Sequence, residues 1–173
     1  MRILNTPLTT DKIVRLNAGE IVLLNGTIYT ARDAAHKKIV GAIKNGRPLA
    51  FGLKEQIIYY AGPAPAKKGE PIGSCGPTTS SRMDSYTVPL LKKGLKGMLG
   101  KGKRSDEVIG AIKKYKAVYF IAVGGAAALL ATKIKKAKII AYPELGTEAV
   151  YKFEVEDFPV IVAIDSKGKS ILK

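Results

Sequence analysis

The 173-residue chain has no tryptophan, one histidine and one cysteine, and its aromatic share is only 7%. A lone cysteine, Cys75, excludes an internal disulfide, and it cannot by itself ligate zinc or an iron–sulfur cluster. A lone histidine, His36, excludes a multi-histidine metal site. No apolar run approaches the ~20 residues of a membrane span, since the longest is broken by Gly124-Gly125 and followed by Lys133. Residues 1–7 lack the apolar stretch of a secretory signal. These absences lead to the expectation of a soluble, reduced, cytoplasmic protein. Acidic residues are also scarce, 14 against 29 basic ones, which leaves a formal charge of +15. That balance points to an anionic partner: nucleic acid, an acidic protein or an anionic metabolite. Only six of the basic residues are arginine, and the lysines are scattered along nearly every segment. With few aromatics and no nucleic-acid motif, a basic nucleic-acid-binding module is the weaker reading.

The length fits one domain spanning residues 1–173, with no repeat and no internal boundary. Glu20–Leu24 reads as a strand, Asn25-Gly26 as a hairpin turn, and Thr27–Tyr29 as the return. Thr30 and Asp33 have capping-box spacing, opening a helix that carries Ala35, Ile39, Ala42 and Ile43 on one face and ends at Asn45-Gly46. A strand is predicted over Gln56–Tyr60, then a loop over Ala66–Gly73 that carries no recognisable motif. Further on come a short helix stopped before Pro89, a glycine- and lysine-rich loop over Gly97–Lys103, and a helix capped by Ser105 and running to about Tyr115. Ala117–Val123 reads as a buried strand. An alanine-rich helix ending in Lys133, Lys135 and Lys136 follows, with strands at Lys138–Ala141, Ala149–Val155 and Pro159–Asp165. The expected fold is α/β with mixed strand directions.

Three segments bear anion-binding chemistry. In Gly76-Pro77-Thr78-Thr79-Ser80-Ser81-Arg82, four hydroxyls stand where a helix begins, and Arg82 adds a planar fork for a carboxylate. The same segment also reads as an over-provided N-cap with a surface arginine. In Thr30–His36, Arg32 and His36 share a helical face and Asp33 is placed to orient His36, which equally describes a buried, hydrogen-bonded histidine. In Gly100-Lys101-Gly102-Lys103, glycines permit close approach to a lysine point charge, although such loops are commonly just solvated. Gly124-Gly125 lacks the spacing of a dinucleotide or P-loop fingerprint. Cys75 reads as a small buried residue.

Taken in order, Gly26–His36, Ile58–Pro63, Gly76–Asp84, Met98–Gly102, Gly124–Ala128, Leu145–Ala149 and Asp157–Pro159 resemble the β subunit of the two-subunit class I iron–sulfur fumarate hydratases and L-tartrate dehydratases. The resemblance covers about residues 20–165. It implies a swivelling β/β/α domain equivalent to the C-terminal domain of the single-chain enzymes. It implies a 4Fe–4S cluster held by three cysteines of a separate α subunit, with one iron open as a Lewis acid, in a hetero-oligomer of α2β2 type. The implied activity is reversible hydration of fumarate to L-malate, with L-tartrate dehydration as the alternative. Carried over by motif, Arg32, Arg82 and Lys101 become ligands for the carboxylates of a C4 dicarboxylate, and Thr78 takes the proton-transfer position. Asp33, His36 and Thr79 become supporting residues, and Glu148 is left with loop support only.

Overall fold

The computed structural model describes residues 1–122 and 127–173; the Gly124-Gly125 turn lies outside the described residues. Seven strands are described: β1 (Arg2–Asn5), β2 (Ile21–Thr30), β3 (Ile57–Tyr59), β4 (Gly97–Gly100), β5 (Val118–Ala122), β6 (Ile134–Ala141) and β7 (Val150–Ile164). The helices are α1 (Thr10–Ile13), α2 (Asp33–Lys44), α3 (Asp84–Lys92), α4 (Asp106–Tyr115) and α5 (Ala127–Thr132), with 3-10 turns at Ser80–Met83 and Pro143–Glu148. None is long and apolar enough to cross a membrane. The expected α/β architecture with a mixed sheet and flanking helices is what forms.

Strands β2, β3, β4 and β5 run parallel in that order, as β–α–β connections require. Strand β7 is antiparallel to β5 on one side and to β2 on the other, so the pairings β2-β3-β4-β5-β7 close into a ring. β1 extends it beside β2, and β6 beside β7. Period-2 alternation divides the apolar residues between two faces. Val22, Leu24, Ile28, Tyr59, Leu99, Phe120, Phe153, Phe158 and Val160 form one cluster with Leu8 and Leu16 around α1. Ile58, Met98, Tyr119 and Ile164 belong to a second, packed on Ile39 of α2, Leu90 of α3 and Val108 and Ile112 of α4.

Several local expectations fail for identifiable reasons. Asn25-Gly26 is not a hairpin turn but lies inside the continuous strand β2, opposite a bulge in β7, where Glu156 and Asp157 oppose the single residue Asn25 and the register shifts between Leu24 and Gly26. Gly26 has φ 111°, and a Cβ there would collide with the Thr6 side chain, whose hydroxyl accepts from the Thr27 amide. Thr30 is not an N-cap. It is the buried last residue of β2, and its hydroxyl accepts from the Tyr151 amide, while Arg32 holds the cap position of α2. Helix α3 continues through Pro89, whose missing N–H would have served the carbonyl of solvent-exposed Ser85. Gly97–Gly100, expected in a loop, is a fully buried central strand. Lys135 and Lys136 are in β6 rather than at a helix end, and the two expected C-terminal strands are one 15-residue strand, β7. The Ser105 cap forms as expected, its hydroxyl accepting from the Val108 amide at 3.2 Å, and α4 ends at left-handed Lys116.

Candidate functional site

Parallel α/β sheets offer ligands a crevice at the carboxyl ends of their strands. Here β2 leads to Arg32, β3 to Tyr60–Gly62 and β4 to Lys101. The register Thr30–Tyr59–Leu99 sets these exits side by side. The hydroxyl-rich segment returns to the same edge. The Thr78 amide donates to the Tyr60 carbonyl at 2.7 Å, and Thr79 forms a parallel bridge with Lys101. The Lys101 amide donates to the Thr78 carbonyl, and the Ser80 amide donates to the Lys101 carbonyl at 2.9 Å. Backbone pairing therefore fixes Thr78, Thr79 and Lys101 against one another. Gly100 permits it: a Cβ there would strike the Ser80 hydroxyl and the Tyr60 ring. The hydroxyls are not helix caps, since neither the 3-10 turn nor α3 has a side-chain cap.

The two arginines meet on Asp33. Arg82 Nε donates to Asp33 Oδ2 at 3.0 Å, and Arg82 Nη2 lies 3.0 Å from the same oxygen. Arg32 Nε stands 3.8 Å from Asp33 Oδ1, and these two atoms are buried without a hydrogen-bond partner among the described residues. Arg32 is half-buried, its side chain passing so close to Gly62 that a Cβ at that glycine would sit 3.2 Å from Arg32 Cδ. Arg82 and Lys101 are exposed. One anion thus sits between two cations at the strand ends, with an exposed ammonium on the neighbouring strand exit.

Asp33 does not orient His36. The His36 ring is buried, and its Nδ1 lies 2.8 Å from the Arg32 carbonyl, which also accepts the His36 amide at 2.9 Å. A carbonyl only accepts, so Nδ1 carries the proton. Burial pushes the imidazole pKa down to about 4, outweighing the Arg32 hydrogen bond, and nearby Arg104 pushes it the same way. His36 is therefore neutral near pH 7, with its ring bonded to the Arg32 backbone. Glu148 does more than loop support suggests: its Oε1 accepts the Ala34 amide at 3.3 Å, capping α2 from 114 residues away. No local motif announces that contact. Cys75 is buried as expected; burial pushes its thiol pKa up to about 12, and its carbonyl accepts the Tyr59 hydroxyl. Among the described residues no three His, Cys, Asp or Glu side chains gather to hold a metal ion. These residues do not fit an iron–sulfur cluster.

Fold and site together define a mixed α/β domain that presents cations at the carboxyl ends of parallel strands. Residues 2–173 match the family described as Fumarase C-terminus, and the chain belongs to that family. It is 49% identical over 156 residues to Fumarate hydratase 2 of Leishmania major, covering 88% of this chain and 27% of that protein. It is 47% identical over 152 residues to the aerobic class I fumarate hydratase of Escherichia coli K12, covering 87% and 28%. The chain thus spans about a quarter of the length of these relatives. A Methanocaldococcus jannaschii protein, provisionally named L(+)-tartrate dehydratase subunit beta, is 44% identical over 170 residues, covering 95% of this chain and 87% of that one.

Proposed function

We propose that this chain is the β subunit of a two-chain hydro-lyase that hydrates fumarate reversibly to L-malate. The observation that carries the reading is the Arg32–Asp33–Arg82 cluster beside Lys101, in a family whose relatives are named fumarate hydratases. A dicarboxylate needs positive groups at both ends, and Arg32, Arg82 and Lys101 supply them. Removal of the C3 proton from malate builds carbanion-like charge that spreads into the adjacent carboxylate. Cations already fixed at that position stabilise the transition state more than the ground state. Thr78 stands at the proton-transfer position with its amide and carbonyl both pinned, so its hydroxyl is presented from a rigid backbone. A threonine hydroxyl is a weak base at neutral pH, so it works in concert with a carboxylate of the companion chain. Thr79 holds Lys101 through their bridge, Asp33 spaces the two arginines, and His36 holds the Arg32 backbone.

The 4Fe–4S cluster of this reading belongs to an α subunit with three cysteine ligands, in an α2β2-type assembly within the cytoplasm. In this reading the chain has the swivelling β/β/α fold of the C-terminal domain of the single-chain enzymes. Held by that partner, such a cluster would supply Lewis-acid chemistry; this chain supplies charge, orientation and the threonine. The M. jannaschii relative favours a second reading, L-tartrate dehydration, because it matches this chain nearly end to end and carries the name of a beta subunit. Anaerobic assay of the chain reconstituted with its cysteine-bearing partner, against malate and L-tartrate in parallel, decides between them. Turnover of malate supports the first reading; turnover of tartrate alone replaces it with the second.

A further inference from the structure

Beneath the site runs a column of four contacting groups, of which the proposed chemistry uses only His36, and Arg104 and Tyr119 belong to none of the sequence motifs. The His36 ring meets the edge of Tyr60 with centroids 5.5 Å apart. The Arg104 guanidinium lies 5.3 Å from the Tyr60 ring centre and 4.9 Å from that of Tyr119. The Arg104 side chain is fully buried and its fork is largely used: Nε to Asp84 Oδ1 at 2.7 Å, Nη2 to Thr87 Oγ1 at 2.9 Å, and Nη1 3.6 Å from the Met98 sulfur. The Tyr119 hydroxyl donates to the Gly102 carbonyl at 2.8 Å and shares a 2.7 Å hydrogen bond with the Ser80 hydroxyl.

Each member of the column is one bond from a segment that bears a candidate ligand. His36 holds the carbonyl of Arg32. The Tyr60 carbonyl holds the Thr78 amide. Tyr119 clamps Ser80 and Gly102, which flank the Thr79–Lys101 bridge. Arg104 holds Asp84, two residues beyond Arg82, and Asp84 also accepts the Ser105 amide at 2.8 Å. A buried ion pair is costly to desolvate, and an apolar residue of similar volume often serves stability as well. What an apolar residue cannot do is fix a planar fork between two rings while bonding two separate elements.

We infer that the His36–Tyr60–Arg104–Tyr119 column is a positioning device, which sets Arg32, Thr78, Arg82 and Lys101 in register with one another; its consequence for turnover rests on the hydro-lyase reading above. Tyr119 and Arg104 are positioning residues that touch no substrate. Tyr119→Phe removes one hydroxyl and keeps the ring, and Arg104→Lys keeps the charge and loses the fork.

Two measurements test the column separately from the activity. In the full chain, amide hydrogen exchange at Thr78, Ser80 and Lys101 is expected to quicken at least about tenfold in both variants, the loss of roughly one hydrogen bond, while amides of β2 and β7 keep wild-type rates. In the reconstituted complex, kcat is expected to fall about tenfold with KM changing less than about threefold. Wild-type exchange at the three amides, uniformly faster exchange across all strands, or wild-type behaviour of Arg104→Lys each overturns the column. Local loosening with unchanged kcat in an active complex overturns it as a positioning device for catalysis. If the wild-type complex hydrates neither fumarate nor tartrate, the hydro-lyase reading fails, and local exchange alone then decides whether the column sets the register.

Discussion

One face of the strand ring and the rim at its strand ends are built on opposite terms. The face that carries Leu24, Phe120, Phe153 and Phe158 is apolar throughout, and its Tyr59 hydroxyl is satisfied by the Cys75 carbonyl. The rim at the strand carboxyl ends holds buried polar groups, and two of them, Arg32 Nε and Asp33 Oδ1, have no hydrogen-bond partner among the described residues. An unpaired buried donor and acceptor cost stability that apolar packing elsewhere must offset. The contrast teaches that the ring supplies rigidity and the rim spends some of it to keep charge in place.

The largest effect on stability should come from the apolar face. Phe158→Ala is expected to cost about 3–5 kcal/mol by urea unfolding, with turnover per folded complex unchanged. A matching loss of turnover per folded molecule would erase the distinction between the two regions. Next comes the pH response of the buried rim. The folded His36 ring protonates only near pH 4, whereas the unfolded chain takes that proton near its ordinary 6.5. The unfolded state therefore binds the extra proton in that window. Stability is full above about pH 6.5, falls as pH drops toward 4, and loses on the order of 3 kcal/mol. His36→Gln should flatten that slope in unfolding curves recorded across the window; an unchanged slope would place the titration elsewhere.

Arg82→Ala tests the rim as chemistry rather than as structure. Turnover of the reconstituted complex is expected to fall at least about a hundredfold, with melting temperature within a few degrees of wild type. Equal turnover would reduce the rim to a scaffold for the partner. The smallest effect belongs to Glu148→Ala, which removes the distant cap of α2 and should cost about 0.5–1 kcal/mol. A loss well beyond that would show Glu148 bearing on the arginine cluster directly.

The regular framework was largely legible. The Ser105 cap announced α4, and the continuous apolar run from Ala117 announced β5, because cap chemistry and an unbroken apolar run are local signals. Asn25-Gly26 misled because a positive-φ glycine after asparagine has the chemistry of a hairpin turn, and only the partner strand β7, bulged opposite Asn25, shows that β2 runs on through it. Gly97–Gly100 misled because glycines flanking a strand look like a loop until Ile57 and Ser80 press against them. In the site, Arg32, Thr78, Arg82 and Lys101 stood out through their motifs. Their wiring did not, since Asp33 pairs across 49 residues with Arg82, Glu148 caps across 114, and Tyr119 reaches Ser80 across 39. A lone arginine at position 104 in a basic sequence carries no sign that it will be buried between two tyrosines.

Strand β7 has a bearing on how the chain assembles. It is the last of the seven strands in order, yet it pairs with β2, β5 and β6. On a ribosome, β2 must wait for more than a hundred further residues before its antiparallel neighbour exists. The parallel strands β2 to β5 can collapse with their helices in the meantime, but they leave two open edges until residues 150–164 emerge. Contacts that distant are slow to form and expose unpaired strands to other chains while they are missing. A nascent chain halted before residue 150 is thus an aggregation hazard, and the final strand is the step that makes the molecule safe.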